Sequence, residues 1–193
     1  MTLSGQGITV SLPAGWEGRI GLPGALASLP ALPVGVTGRT GPAATAVGAA
    51  PAGATPGGAP TGGLSPGGST PDGRAMPVTH LASFALPADR GDFGSGAVDV
   101  MGPQDILIAL VEYGPECVDT PLFARAEVPS PAPNQFRPES LQRSIPGQLG
   151  YQRFFTTAGR AFCLYVVLGS TGNARPLTTV TRSVLSTVRI SPS

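Results

Sequence analysis

The sequence predicts an α+β fold: a single antiparallel-rich sheet with one C-terminal amphipathic helix, few short helices and a disordered insert. Three patterns predict the folded part. Apolar and polar residues alternate over 8–12, an unbroken apolar run fills 106–111, and apolar residues recur at helical spacing over 177–188. The insert is predicted from a strong Gly, Pro and Ala bias after residue 40.

The first predicted strand comes from Ile8, Val10 and Leu12, which alternate with Thr9 and Ser11 and so place one apolar face on a core. Residues 79–86 form the second candidate. Residues 105–113 are apolar on both faces, which is typical of a strand in the middle of a sheet that is covered on both sides.

A β-hairpin is predicted from residues 151–156 and 161–168. They flank the sequence Thr-Ala-Gly-Arg, in which Gly159 supplies the positive φ that a tight turn needs.

Two helical segments are predicted after residue 137. The shorter is one turn within 138–144. The longer is the C-terminal helix, with Pro176 at its first position. Its apolar face consists of Leu177, Val180, Val184, Leu185 and Val188.

The predicted domain is therefore discontinuous. Residues 1–20 and 76–190 form one α+β domain, and residues 21–75 form a low-complexity insert between its first and second strands. Within 41–75, 25 of 35 residues are Gly, Pro or Ala and none is aromatic, so we expect 41–75 to be disordered.

The leucine-rich start of the insert, 21–36, contains the large apolar side chains that the rest of the insert lacks. Leu22, Leu26 and Leu29 fall on one face of a short helix, although prolines limit its length. Three interpretations stay open: an apolar linker, a helix that docks on its own domain, and a helix that binds a partner.

Charge argues against nucleic acid as a partner. All 12 basic residues are arginine and lie scattered along the chain, and with 11 acidic residues the net charge is +1. No basic stripe is available to neutralise phosphates. No apolar stretch is long enough for a membrane span, and no leader is visible at Met1, so we expect a cytoplasmic protein.

Candidate reactive residues are few. Cys117 and Cys163 are expected to be free thiols, with Cys163 in the core. His80 is the only histidine, which excludes a two-histidine metal site, so no metal or cofactor is expected. A Cys117–His80 catalytic pair competes with a plain histidine at the start of a strand that makes a local hydrogen bond.

Glu112 interrupts the apolar run at its end. It is either a buried acid with a raised pKa or a carboxylate at the sheet edge paired with an arginine such as Arg153.

The glycine-rich stretch 90–96, Arg-Gly-Asp-Phe-Gly-Ser-Gly, has three interpretations. It resembles a phosphate-binding nest and an adhesion tripeptide, and it is also typical of a surface turn, which we favour. Nearby aspartates such as Asp89 and Asp92 lack calcium-loop spacing, and Asp105 is expected to be a turn residue at the start of a strand.

The layout carries one resemblance. A strand enters Leu12-Pro13-Ala14-Gly15-Trp16, followed by an apolar strand, a long hairpin and a helix that leads into Val188-Arg189-Ile190. This resembles small actinobacterial proteins of unknown function and, more distantly, domains with the Mog1/PsbP-like fold. The resemblance implies an antiparallel sheet flanked by helices and a binding or accessory role. It transfers no functional residue.

Two functions follow from these patterns. The favoured one is a non-enzymatic protein-binding or adaptor module, in which Leu22, Leu26 and Leu29 of a flexible insert engage another protein. The alternative is a small-ligand-binding protein or enzyme with a pocket near the proline-rich loop 114–137. His80, Glu112 and Cys117 are the candidate pocket residues.

Overall fold

The computed structural model describes residues 1–22 and 76–192, which belong to one compact unit of mixed α+β structure. The α+β prediction is confirmed, but the single sheet is wrong, because the strands form two antiparallel sheets. The strands are β1 Thr2–Gly5, β2 Ile8–Ser11, β3 Glu17–Gly21, β4 Val78–Ala82, β5 Ile106–Tyr113, β6 Leu149–Thr157, β7 Arg160–Leu168 and β8 Arg189–Ile190. The α-helices are α1 Ser95–Val98 and α2 Ala174–Leu185.

The larger sheet has five strands in the order β3-β4-β5-β7-β6. Its middle strand, β5, is buried along its whole length, so the predicted central strand is confirmed. One face of the sheet, which we call the helix face, packs against the smaller sheet and α2. The opposite face, which we call the loop face, is covered by α1 and by segments between β5 and β6.

The smaller sheet has the order β1-β2-β8 and explains why the single-sheet prediction failed. Only β2 was expected. Strand β1 has four residues with one large apolar side chain, and β8 has two residues, so neither shows the apolar alternation by which short strands are recognised. Strand β3 of the larger sheet lacks it as well, because it contains Gly18 and Gly21. Gly18 is needed for packing, since a Cβ there would lie 2.6 Å from Leu3.

The hairpin of β6 and β7 is confirmed, with both strands slightly longer than predicted. Its two turn residues both have positive φ, 52° at Ala158 and 70° at Gly159. Such a turn matches the right-handed twist of the strands. The predicted strand 79–86 is shorter than expected and ends at Ala82.

Helix α2 begins two residues before Pro176, so this proline occupies the third helical position and not the first. Leu177, Val184 and Leu185 are buried as predicted, but Val180 is exposed. Thr181 is fully buried on the apolar face because its hydroxyl donates a hydrogen bond to the Leu177 carbonyl, which satisfies its polar group.

Residues 23–75 follow β3 and precede β4, so the insert lies between the third and fourth strands and not between the first and second. The two strands pair antiparallel, and Gly21 lies opposite Val78 in their register. The chain therefore leaves and re-enters the domain at neighbouring positions of one hairpin. The disorder predicted for 41–75 falls outside the described residues.

The proline-rich loop 114–137 is fixed to the sheet. Phe123 and Phe136 are buried, and the Arg125 carbonyl accepts a hydrogen bond from the Thr156 amide of edge strand β6. The turn expected within 138–144 is a 3₁₀ turn, Pro138–Ser140. The loop itself contains three more 3₁₀ turns, at Pro115–Cys117, Pro121–Phe123 and Pro133–Gln135.

Candidate functional site

His80 lies in the middle of β4 with its ring on the loop face, and 5% of the residue is exposed. Its Nε2 is 2.9 Å from the Asp92 carbonyl oxygen, and its Nδ1 is 3.3 Å from Nε of Arg90. Because Arg90 only donates, Nδ1 must accept, and Nε2 carries the proton that Asp92 accepts. Burial, reinforced by the charge of Arg90, lowers the pKa of His80 to about 4, so the ring is neutral near pH 7.

Residues 91–94 form turns, as expected, but the stretch does not lie wholly on the surface, because only 4% of Arg90 is exposed. Besides the bond to His80, its Nη1 donates to the Pro87 carbonyl at 2.9 Å. Phe93 of the same stretch is buried beside Tyr165, with the rings edge to face at 5.6 Å. The stretch is thus a packed loop, and Gly91 and Gly94 adopt the left-handed conformation, φ 56° and 77°, that turns the chain there.

Glu112 lies on the helix face and forms a buried ion pair. Its two carboxylate oxygens accept from Nε and Nη2 of Arg160 at 2.8 and 2.6 Å. The prediction of an arginine partner is right in kind, but the partner is Arg160 and not Arg153. The position is also not at the sheet edge, because β5 is the middle strand.

Arg160 completes its coordination with two carbonyl oxygens from the smaller sheet. Nη2 donates to Gln6 at 2.9 Å and Nη1 to Ser191 at 3.2 Å. Its guanidinium also stacks over the Phe162 ring, 5.2 Å from the centroid. These contacts join the central strand to one end of the smaller sheet, where the β1–β2 turn lies beside the residue after β8, so the pair is a structural clamp.

The two cysteines are free thiols. Cys163 is buried in β7 as predicted, and burial raises its pKa to about 12. Cys117 is partly exposed, and partial burial with the charge of Glu116 raises its pKa as well. A protonated thiol is a poor nucleophile and a poor metal ligand, so neither cysteine is activated.

The three predicted pocket residues do not converge. His80 and Cys117 lie on the loop-face side of the larger sheet, whereas Glu112 points to the helix face. Both nitrogens of His80 are also occupied by Asp92 and Arg90, which leaves none to activate Cys117. The catalytic pair considered from sequence has no support in this geometry.

The candidate leucines are only partly within the described residues. Leu22 directly follows β3 and is 44% exposed. Leu26 and Leu29 lie outside the described residues.

Two aspartates, Asp105 and Asp99, make local contacts through their carboxylates. Asp105 precedes β5, and its carboxylate accepts from the Gly102 amide at 2.7 Å, as expected for a turn residue. Asp99 pairs with Arg143 on the surface. Over 1–22 and 76–192, no group of three His, Cys, Asp or Glu residues is placed to hold a metal ion.

A small apolar cavity lies on the helix face, with a volume of about 10 Å³. This is room for about one water molecule and far from the space of an ordinary ligand pocket. Val128 is its one lining residue from the 114–137 loop, and none of the predicted pocket residues reaches it. Thr79 also lines it, with a buried hydroxyl that has no hydrogen-bond partner in the described part of the chain.

The cluster that the sequence did not predict lies on the loop face, beside edge strand β3. It consists of Arg19, His80 and Arg90. Arg19 on β3 lies directly opposite His80 in the register of β3 and β4, so both side chains leave the same face. Strand β3 is an edge strand of the larger sheet. This arrangement gathers two positive charges around a neutral imidazole.

Comparison with family models, with curated proteins and with solved structures gives no match to this chain. The resemblance to the Mog1/PsbP-like fold therefore stays a prediction. In the described part of the chain, no helix has the length and apolarity needed to cross a membrane.

Proposed function

We propose that the chain is a non-enzymatic protein-binding or adaptor module. The observation that carries the proposal is the position of residues 23–75 between two paired strands. The Gly21–Val78 pair holds the strand ends that flank this segment at adjacent positions of one hairpin. Surface loops on a rigid scaffold are the usual place for binding residues.

The state of the reactive side chains supports binding over catalysis. His80 is neutral and both of its nitrogens are hydrogen-bonded, and Glu112 forms an ion pair with Arg160. Burial keeps Cys163 protonated by raising its pKa to about 12. A nucleophile, a base and a group that orients the base are the minimum set for covalent catalysis, and these residues are committed to packing instead.

Leu22, Leu26 and Leu29 are the proposed anchors for the partner. The described member, Leu22, is 44% exposed, so its side chain is available at the start of the loop. Each leucine that becomes buried contributes about 1.5–3 kcal/mol before entropy costs. Two or three such anchors give an affinity of about micromolar strength.

The experiment compares three full-length proteins: the wild type, L26S/L29S, and L122S as the control. Leu122 is an exposed leucine of the folded domain, with 48% of the residue accessible. L122S therefore makes the same Leu-to-Ser substitution at a position outside residues 23–75. We expect the wild type and L122S to cross-link to a partner protein and L26S/L29S to lose this cross-link. The free energy of unfolding should be the same for all three proteins. Lowered stability of L26S/L29S would instead show that the segment packs on its own domain, which contradicts the proposal.

A further inference from the structure

Within residues 1–22 and 76–192, Arg90 is a buried cation without an acidic partner. Only 4% of the residue is exposed, and its contacts are the His80 ring and the Pro87 carbonyl, both uncharged. The ion pairs within 1–22 and 76–192 are Arg143 with Asp99 and Arg160 with Glu112. Burial of an uncompensated charge costs several kcal/mol, and buried charges in proteins are usually paired.

His80 holds the guanidinium in place without neutralising it. Its Nδ1 accepts the Nε hydrogen of Arg90, which requires that this nitrogen carry no proton. Nε2 keeps its proton and donates a hydrogen bond to the Asp92 carbonyl oxygen, which fixes the ring. Arg90 is therefore oriented by two hydrogen bonds, while its full positive charge remains.

Arg19 places a second positive charge beside the first. It lies opposite His80 in the strand register, and its side chain is exposed at the sheet edge. Its charge adds to burial in lowering the pKa of Arg90. Two neighbouring guanidinium groups repel each other, and an anion bound between them would attract both.

None of Glu17, Asp89 and Asp92 forms an ion pair with Arg90 or Arg19. Glu17 lies two positions from Arg19 on β3, but its Oε2 accepts the Leu86 amide hydrogen at 3.0 Å. Burial raises the pKa of Asp92, the opposite of what a neighbouring cation would cause. The backbone carbonyl of Asp92, and not its carboxylate, faces His80.

We propose that Arg90 and Arg19 form a binding site for an oxyanion, a carboxylate or phosphate group carried by a small molecule or a partner. A guanidinium has five donors, and the described contacts of Arg90 use two of them. Arg90 would fix the position of the oxyanion, and the exposed Arg19 would close over it from the sheet edge. The site goes beyond the proposed protein-binding role, and its residues all lie outside 23–75.

The test is a titration of the full chain, followed by amide NMR shifts at low ionic strength, with inorganic phosphate, acetate and chloride as separate probes. We expect saturable shifts around Arg19 and His80 with phosphate or acetate. Shifts with phosphate alone would identify a phosphate group as the ligand, and shifts with acetate alone would identify a carboxylate. R19Q should weaken binding about tenfold, equivalent to about 1.4 kcal/mol.

R153Q is the matched control, because Arg153 is an exposed arginine on the opposite edge strand and the opposite face. It should change the affinity by less than about twofold, within the usual scatter for a distant site. Equal weakening by R153Q and R19Q would show diffuse attraction and overturn the proposal. Shifts that chloride reproduces at equal ionic strength would overturn it as well.

A second arm tests an acid from the same chain. Asp72 is the one acidic residue of 23–75. Phosphate or acetate should bind the wild type and D72N with the same affinity. Binding that occurs only in D72N would overturn the ligand site and assign the Asp72 carboxylate to Arg90.

Discussion

Two arginines are buried to the same extent on opposite faces of one sheet, and their surroundings differ. Arg160 is 6% exposed and Arg90 is 4% exposed. Arg160 meets both oxygens of Glu112, two carbonyls and an aromatic ring. Arg90 meets a neutral histidine and one carbonyl. The first charge is compensated within the fold, and the second is only oriented by it.

This difference distinguishes the structural role of Arg160 from the binding role that we propose for Arg90. The contacts of Arg160 link the larger sheet to Gln6 and Ser191 of the smaller one and use four of the five donors of the guanidinium. Arg90 is hydrogen-bonded to His80, and edge strand β3 carries a second arginine, Arg19, opposite His80. The oxyanion site is proposed at Arg90 because the charge there has no described partner, and burial alone would have pointed equally to Arg160.

The largest effect is expected when the Glu112 carboxylate, which compensates the charge of Arg160, is removed. E112A leaves a buried guanidinium without its carboxylate, and we expect the free energy of unfolding to fall by about 3–5 kcal/mol. Urea denaturation measures it. D99A is the control, since the Asp99–Arg143 pair is exposed and should contribute less than about 1 kcal/mol. Similar losses in both variants would contradict the role of Arg160 as a clamp.

The next test uses pH on the Arg90 side. The pKa of His80 is about 4 in the folded chain, against 6.5 for the ordinary side chain. Between these values the unfolded chain binds more protons, so stability falls as pH drops from 6.5 toward 4. The full loss is about 3 kcal/mol.

H80N removes this titration and leaves the other groups, including the Asp92 carboxyl with its raised pKa, in place. Urea unfolding at pH 7 and pH 4.5 should show the wild type losing about 2 kcal/mol more than H80N. Parallel losses would mean that His80 is not held neutral by its contacts with Arg90 and Asp92.

The sequence predicted the elements whose pattern is local. Strand β5 was assigned to the centre of a sheet because apolar residues occupy both faces, and the β6–β7 hairpin because its turn contains Gly159. It did not predict the partner of Glu112. Arg153 is on β6, and β7 lies between β5 and β6, so the choice of Arg160 depends on strand order. Strand order has no local signal.

The cluster at Arg90 was missed for a related reason. A Gly-rich, charged stretch such as 90–96 is typical of a surface turn. Its burial depends on His80, ten residues away in β4, and on Phe93, which packs on Tyr165 of β7. A packed loop of this kind is recognised only once the sheet beneath it is known.

A smaller test concerns a neutral polar group on the helix face. The Thr79 hydroxyl is buried in an otherwise aliphatic cavity, where a water molecule would find too few polar partners. T79V keeps the shape and removes the unsatisfied group, so we expect a gain of about 1 kcal/mol in the free energy of unfolding. T156V should have the opposite sign, because the Thr156 hydroxyl accepts the Asp119 amide hydrogen. A loss in T79V would show that its hydroxyl is satisfied.

The smallest effect is expected from removing most of the insert. A deletion of residues 38–75, closed with a short Gly/Ser linker, leaves the Gly21–Val78 pair and every described core residue in place. Shortening a loop about threefold changes its closure entropy by only about 1 kcal/mol, in the stabilising direction. The melting temperature should therefore move by a few degrees, as measured by calorimetry. Loss of cooperative unfolding would show that the deleted residues pack on the domain, and the proposal of a presented binding loop would then be wrong.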